Sequence, residues 1–177
     1  LPNPNRINLN VIRSESIYSI TDVVETLEFT SKTPLIFATP NELDSKIAVV
    51  TADLKSLQII NKAASKFELV SQGEQISKPT WDRNGSVYFS EFGFGVREVT
   101  SDGTVREVAV DASTLGTSDQ VKQVAVSSDG IRVAVVMSDG IQDVVAVGAI
   151  FKTDSETRII GLHRIERSIT SIRDIAW

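Results

Sequence analysis

Apolar residues along this chain fall in short runs punctuated by tight turns, and one phrase of that pattern recurs. Lys78-Pro79-Thr80-Trp81 leads through Asp82-Arg83-Asn84-Gly85 into Val87-Tyr88-Phe89, and Gln123-Val124-Ala125-Val126 leads through Ser127-Ser128-Asp129-Gly130 into Val133-Ala134-Val135-Val136. A weaker copy runs from Leu35-Ile36-Phe37-Ala38 past Asp44-Ser45 into Ile47-Ala48-Val49-Val50, and Asp174-Ile175-Ala176-Trp177 begins another. The anchors Ala38, Trp81, Val126 and Trp177 are 43, 45 and 51 residues apart, a spacing that points to the blades of a β-propeller.

The alternation predicts an all-β fold: a β-propeller or propeller fragment of four-stranded antiparallel blades, with a β-sandwich as the alternative. Residues 1–33 would hold a linker and leading or ring-closing strands. Residues 34–75, 76–119 and 120–170 would each form a blade, and 171–177 the first strand of a further one. In the second blade, strands are expected near 76–81, 86–91, 94–100 and 104–110, the last two joined as a hairpin through Ser101-Asp102-Gly103. Asp102-Gly103, Asp129-Gly130, Asp139-Gly140 and Asn84-Gly85 suit two-residue type I′ turns, which require positive φ. Ile131 to Met137 and Val144 to Phe151 read as strands covered on both faces. Gly148 within the latter points to a bulge or to the close approach of another backbone.

Composition narrows the function classes. The 177 residues are 41% apolar, ordinary for a globular domain, with a formal net charge of −5. No Lys/Arg cluster is long enough to track a phosphate backbone, so nucleic acid is not an expected partner. The longest apolar run has eight residues, Val144 to Phe151, against the ~20 that a membrane-spanning helix needs. Cysteine is absent, which removes disulfides, thiolate nucleophiles and Cys-type zinc sites from this chain while leaving its compartment open. Leu1-Pro2-Asn3-Pro4-Asn5 reads as an interdomain linker at the start of a piece of a longer protein. The two ends would either close a small ring together or stand at the raw edges of a cut one.

Catalytic chemistry finds little support. His163 is the sole histidine, no Gly-x-Ser-x-Gly elbow accompanies it, and it reads as a blade-edge or loop residue. No catalytic residue, metal site or cofactor is expected. Asp82, Glu91, Asp129 and Asp143 are the carboxylates a glycosidase cleft could use. Turn capping accounts better for Asp129, and Glu91 is expected to border a strand in solvent. Gly93-Phe94-Gly95 opens no helix, so it is a hairpin rather than a dinucleotide fingerprint. The alternate spacing of Phe92 and Phe94 favours packing into the core between sheets; the other reading makes them an exposed aromatic contact for a partner. Asn84-Gly85-Ser86 fits a glycosylation sequon, but its Asn-Gly is already accounted for by the turn.

The stretch from Lys78 to Val87, the stretch from Val126 to Ala134, and Asp174-Ile175-Ala176-Trp177 resemble the carboxy-terminal propeller of actinobacterial LpqB-type lipoproteins. The resemblance covers residues 34–177 and is weaker over the first 33. It implies an extracytoplasmic envelope protein, held at the membrane through a lipidated Cys upstream of Leu1, whose propeller follows a GerMN-type domain. It also implies a protein partner, the extracytoplasmic domain of the MtrB sensor kinase in the MtrA/MtrB two-component system. The expected function is thus a noncatalytic interaction scaffold, with Phe92 and Phe94 as candidate binding residues. A carbohydrate-active or glycan-sensing propeller acting on envelope glycan is the alternative.

Overall fold

In the computed structural model, which describes residues 8–21, 24–43, 45–111, 120–138, 141–165 and 171–177, there are fifteen strands and no helix among those residues. A leading antiparallel sheet comprises β1 (Asn8–Arg13), β2 (Ser16–Thr21) and β3 (Val24–Thr30). A four-stranded sheet follows in simple up-and-down order: β4 (Leu35–Pro40), β5 (Lys46–Thr51), β6 (Ser56–Asn61) and β7 (Lys66–Gln72). Next comes a meander of β8 (Thr80–Trp81), β9 (Val87–Glu91), β10 (Gly95–Val99) and β11 (Val105–Val110). The last meander is β12 (Gln120–Val126), β13 (Arg132–Ser138), β14 (Asp143–Lys152) and β15 (Thr157–Arg164). The chain has the four-stranded antiparallel sheets of a β-propeller.

The continuous apolar runs have a direct cause, since successive side chains on a strand point to opposite faces and these strands are covered on both. Along β5, Ile47 and Val49 enter a core with Ile17 and Leu35. Their neighbours Ala48 and Val50 enter a second core with Trp81, Val87 and Phe89. On β9, Tyr88 turns the other way, into a third core with Val124, Val133 and Val135. Three successive inter-sheet cores rule out a two-sheet sandwich, which has one.

Several local expectations change. The strand expected at 76–81 is reduced to Thr80–Trp81, because Pro79 offers no N–H; upstream, Ser77 makes up part of the ladder by donating its N–H to the Ser90 carbonyl at 2.9 Å and accepting from the Ser90 N–H on its hydroxyl. The two later meanders are joined at their outer strands by a short parallel ladder, Val108↔Thr157 to Val110↔Ile159, which satisfies edge groups that would otherwise face water. Gly148 combines both of its expected roles: the β14–β15 register shifts between Val147 and Ala149, and a Cβ on Gly148 would lie 2.7 Å from the Ile160 carbonyl oxygen. Asp44, Asp139-Gly140 and the segment Leu1 to Asn5 lie outside the described residues.

The described turns are not type I′. Only the glycines take positive φ, at 82° for Gly85, 89° for Gly103 and 74° for Gly130. The preceding Asp or Asn stays in the ordinary region, because side-chain hydrogen bonds hold the turn. Asp102 accepts from the Thr100 hydroxyl and from the Thr104 N–H at 3.0 Å; Asp129 accepts from the Ser127 hydroxyl and the Ile131 N–H. Asp82, two turn positions earlier, accepts from the N–H groups of Asn84 and Ser86, both at 2.9 Å. A Cβ on Gly103 would meet nothing within 4 Å. Gly103→Ala should therefore report backbone strain alone, lowering stability by about 1–2 kcal/mol in urea denaturation; an unchanged midpoint would show that the turn relaxes freely.

Candidate functional site

The first strands of the successive sheets converge on one concave face. Ile36 and Phe37 of β4, the segment 75–78 before β8, the start of β12 and the closing segment 172–174 line a cavity of about 760 Å³. A second cavity, of about 470 Å³, continues along the same strands past Thr39, Trp81, Val126 and Trp177. Lys78 and Gln123 border both. At that junction the Lys78 ammonium lies 2.7 Å from Asp174 Oδ2, and the Gln123 side-chain amide donates to Asp174 Oδ1 at 2.7 Å. A third hollow, of about 310 Å³, lies beyond Phe92 alongside β10 and β11, and Phe92, Gln120 and Val121 border it as well as the first cavity.

Two non-glycine residues on the first cavity hold positive φ: Leu54 at 60° and Gln75 at 49°. Leu54 occupies the place that glycine takes in the related turns, since Asp53 accepts from the Thr51 hydroxyl at 2.6 Å and the Lys55 N–H at 3.1 Å as Asp102 does from Thr100 and Thr104. Its carbonyl in turn accepts from the Ile76 N–H at 2.8 Å. Backbone strain of this kind persists where the surroundings over-determine it, and it clusters at binding sites.

The ionisable groups around the cavity are largely paired. Lys122 lies 2.9 Å from Asp143 Oδ2, which also accepts the Ile172 N–H at 2.6 Å. Burial pushes the Asp143 carboxyl up, but the bonds from Lys122 and Ile172 outweigh it and leave the group below its ordinary value. Asp174 follows the same course, burial being overcome by Lys78 and Gln123. Among the described residues no cluster of His, Cys, Asp and Glu is arranged to hold a metal ion.

Phe92 and Phe94 are exposed, at 49% and 61%, and do not enter an inter-sheet core. They sit in the tight turn between β9 and β10, flanked by Gly93 and Gly95 at positive φ, so the strand alternation that would turn them inward does not operate there. The Arg97 guanidinium stacks on the Phe94 ring at 5.4 Å. Glu91 is the opposite correction: it is buried, 3.0 Å from Arg97, and packed so closely on Gly73 that a Cβ there would overlap its carboxylate. Asp82 and Asp129 cap turns, and none of the four glycosidase candidates lines the first cavity. His163 is exposed on β15.

Residue types alone pointed to none of Lys78, Lys122, Gln123 or Asp174 as site residues. The available signal was the repeat itself, which aligns Thr51-Ala52-Asp53-Leu54 with Thr100-Ser101-Asp102-Gly103 and so places a leucine where glycine is wanted.

Residues 23–177 match the family described as the lipoprotein LpqB β-propeller domain. The match begins ahead of β3, before the residue 34 at which the sequence resemblance starts. No curated protein matches the chain. Among solved structures, hydrazine synthase of Kuenenia stuttgartiensis is 13% identical with a TM-score of 0.62, the match covering 85% of this chain and 43% of that one. An auxiliary nutrient binding protein from Bacteroides ovatus is 12% identical with a TM-score of 0.62, over 96% of this chain and 41% of its own. A luciferin-regenerating enzyme is 13% identical with a TM-score of 0.57, over 93% and 60%. The chain thus spans less than two thirds of each, and identities this low speak for shared fold alone. No helix among the described residues is long and apolar enough to cross a membrane.

Proposed function

Because the chain belongs to the lipoprotein LpqB β-propeller domain family, we propose that it is a noncatalytic scaffold that binds a protein partner on the concave face formed by the first strands. The observation that carries this reading is the pair of exposed rings, Phe92 and Phe94, held in a glycine-flanked turn, with Phe92 on the border of the first cavity and both rings on the hollow beside it. Aromatic side chains on a rigid turn lose little freedom on binding and are the usual energetic anchors of protein contacts. The carboxylates and ammonium groups nearby are engaged with one another, which suits a docking surface better than acid–base chemistry. The partner of this reading is the extracytoplasmic domain of the MtrB sensor kinase, with the propeller acting as an accessory of the MtrA/MtrB system. The intact protein would stand outside the cytoplasmic membrane on a lipid anchor upstream of Leu1.

Surface plasmon resonance against the purified kinase ectodomain tests this. Exchanging Phe92 and Phe94 together for alanine should weaken binding about tenfold or more, while the melting temperature stays close to wild type because both rings are solvent-exposed. Unaltered binding by the double variant would remove these residues from the interface. Turnover of peptidoglycan or arabinogalactan fragments by the wild-type protein would overturn the noncatalytic reading in favour of a carbohydrate-active one.

A further inference from the structure

The 760 Å³ cavity differs from the protein as a whole in charge. The protein as a whole carries −5, yet the ionised residues lining this hollow are Lys78, Lys122 and Arg173 against a single carboxylate, Asp174. Lys78 is paired with Asp174, and Lys122 with Asp143, which does not line the cavity. Arg173 is exposed and has no hydrogen-bond or ion-pair partner among the described residues. The same lining carries the apolar side chains of Ile36, Phe37, Leu54, Val121 and Ile172, and Leu54 and Gln75 hold positive φ there.

We propose that this cavity is a peptide-docking pocket that seats one aromatic side chain of an acidic segment, with a neighbouring carboxylate of that segment on Arg173. A volume of about 760 Å³ admits a tryptophan or phenylalanine side chain with the backbone that carries it. Continuation of the hollow past Phe92 into the neighbouring 310 Å³ recess gives room for an extended chain to either side of the anchor. Arg173 supplies the fork that pairs two carboxylate oxygens at once. Arg173, the one cation of the lining left unpaired among the described residues, disfavours a basic segment, so the pocket selects by sign as well as by shape. The inference deepens the scaffold reading and rests on it for the biological partner, though the pocket itself is tested without that partner.

Two probes are used: N-acetyl-Glu-Trp-Glu-amide and N-acetyl-Lys-Trp-Lys-amide, each titrated into the ¹⁵N-labelled protein and followed by NMR. The acidic peptide should shift amide signals of residues 75–78, 120–123 and 172–174, and the basic peptide should leave them in place. Arg173→Ala should weaken the acidic peptide about tenfold, and added salt should weaken it further. Arg158→Ala, which removes the same charge from the outer strand β15, should bind as wild type does. Equal shifts with both peptides, shifts elsewhere, or none would overturn the proposal. The kinase ectodomain is measured in parallel against wild type and Arg173→Glu. Wild-type binding that Arg173→Glu leaves intact overturns the pocket assignment while the scaffold reading stands; a specific acidic-peptide response without ectodomain binding supports the pocket and overturns that choice of partner.

Discussion

Replacing Trp81 by alanine is expected to lower stability by about 3–5 kcal/mol, most of what a domain of this size has in reserve. The indole is only 7% exposed and packs with Ala48, Val50, Val87 and Phe89 between two sheets. Its Nε1–H donates to the Thr39 carbonyl at 2.7 Å, so the side chain ties the first strand of one sheet to the first strand of the sheet before it. Trp177 repeats the device one step further along, donating to the Ala125 carbonyl at 2.8 Å under the Arg132 guanidinium. It is 53% exposed, however, and Trp177→Ala should cost only about 1–2 kcal/mol. Urea denaturation of both variants decides the matter, with Trp81→Phe as the control that keeps most of the apolar volume and loses the hydrogen bond. If the two alanine variants were equally damaged, burial would not be what distinguishes these tryptophans.

The second large effect belongs to Glu98, which is fully buried between the last two meanders. One carboxylate oxygen accepts from the Lys152 ammonium and from the Tyr88 hydroxyl at 3.2 Å; the other accepts from the Thr157 hydroxyl at 2.6 Å. Thr157 is also where β15 meets β11, so the carboxylate braces the parallel junction from inside. Glu98→Ala leaves two buried hydroxyls without their acceptor and opens a void, at a cost of about 3–5 kcal/mol. Glu98→Gln keeps the shape and should be milder.

Acid should reproduce part of this loss. Burial pushes the Glu98 carboxyl up, but the bonds from Lys152 and Thr157 prevail and hold it below its ordinary 4.5. A carboxyl lowered by folding contributes its stability in full above the unfolded value, and that contribution drains away as the pH falls through the native one. The difference in unfolding midpoint between wild type and Glu98→Gln should therefore be constant at neutral pH and narrow below about 4.5. A difference independent of pH would mean that the charge of Glu98 contributes nothing. Tyr88 shifts the other way, its hydroxyl pushed up by burial and then by the Glu98 charge, so it remains a donor throughout.

Much of the fold could be read because its causes are local. The pairing of β10 with β11 followed from alternation and the Asp102-Gly103 turn, that of β9 with β10 from the Gly93-Phe94-Gly95 hairpin, and Gly148 announced a crowded ladder by being a glycine in an apolar run. The type I′ expectation failed because it considered backbone preference alone. Thr100 and Ser127, two residues before the aspartates, supply hydroxyls that lock a different turn. The core placement favoured for Phe92 and Phe94 extended strand alternation into a turn, and Glu91 was misjudged by taking a charged residue at a strand end to be solvated. The candidate site was barely legible. Its cavity draws on residues from Ile36 to Asp174, and no short motif connects them.

What the sequence determined by itself is the unit: four short strands, their turns and a two-faced apolar pattern, all set by interactions within about fifty residues. Tertiary structure decided how the units meet. Only when the first strands lie side by side does Trp81 reach Thr39, Asp174 come to Lys78, and Arg173 share a cavity lining with Ile36, Phe37 and Val121. The two hydrogen-bonded contacts span 42 and 96 residues, and no local preference encodes them. They follow from burying both faces of every sheet at once, which fixes the angle between neighbours and leaves a cavity where their first strands cannot close on one another.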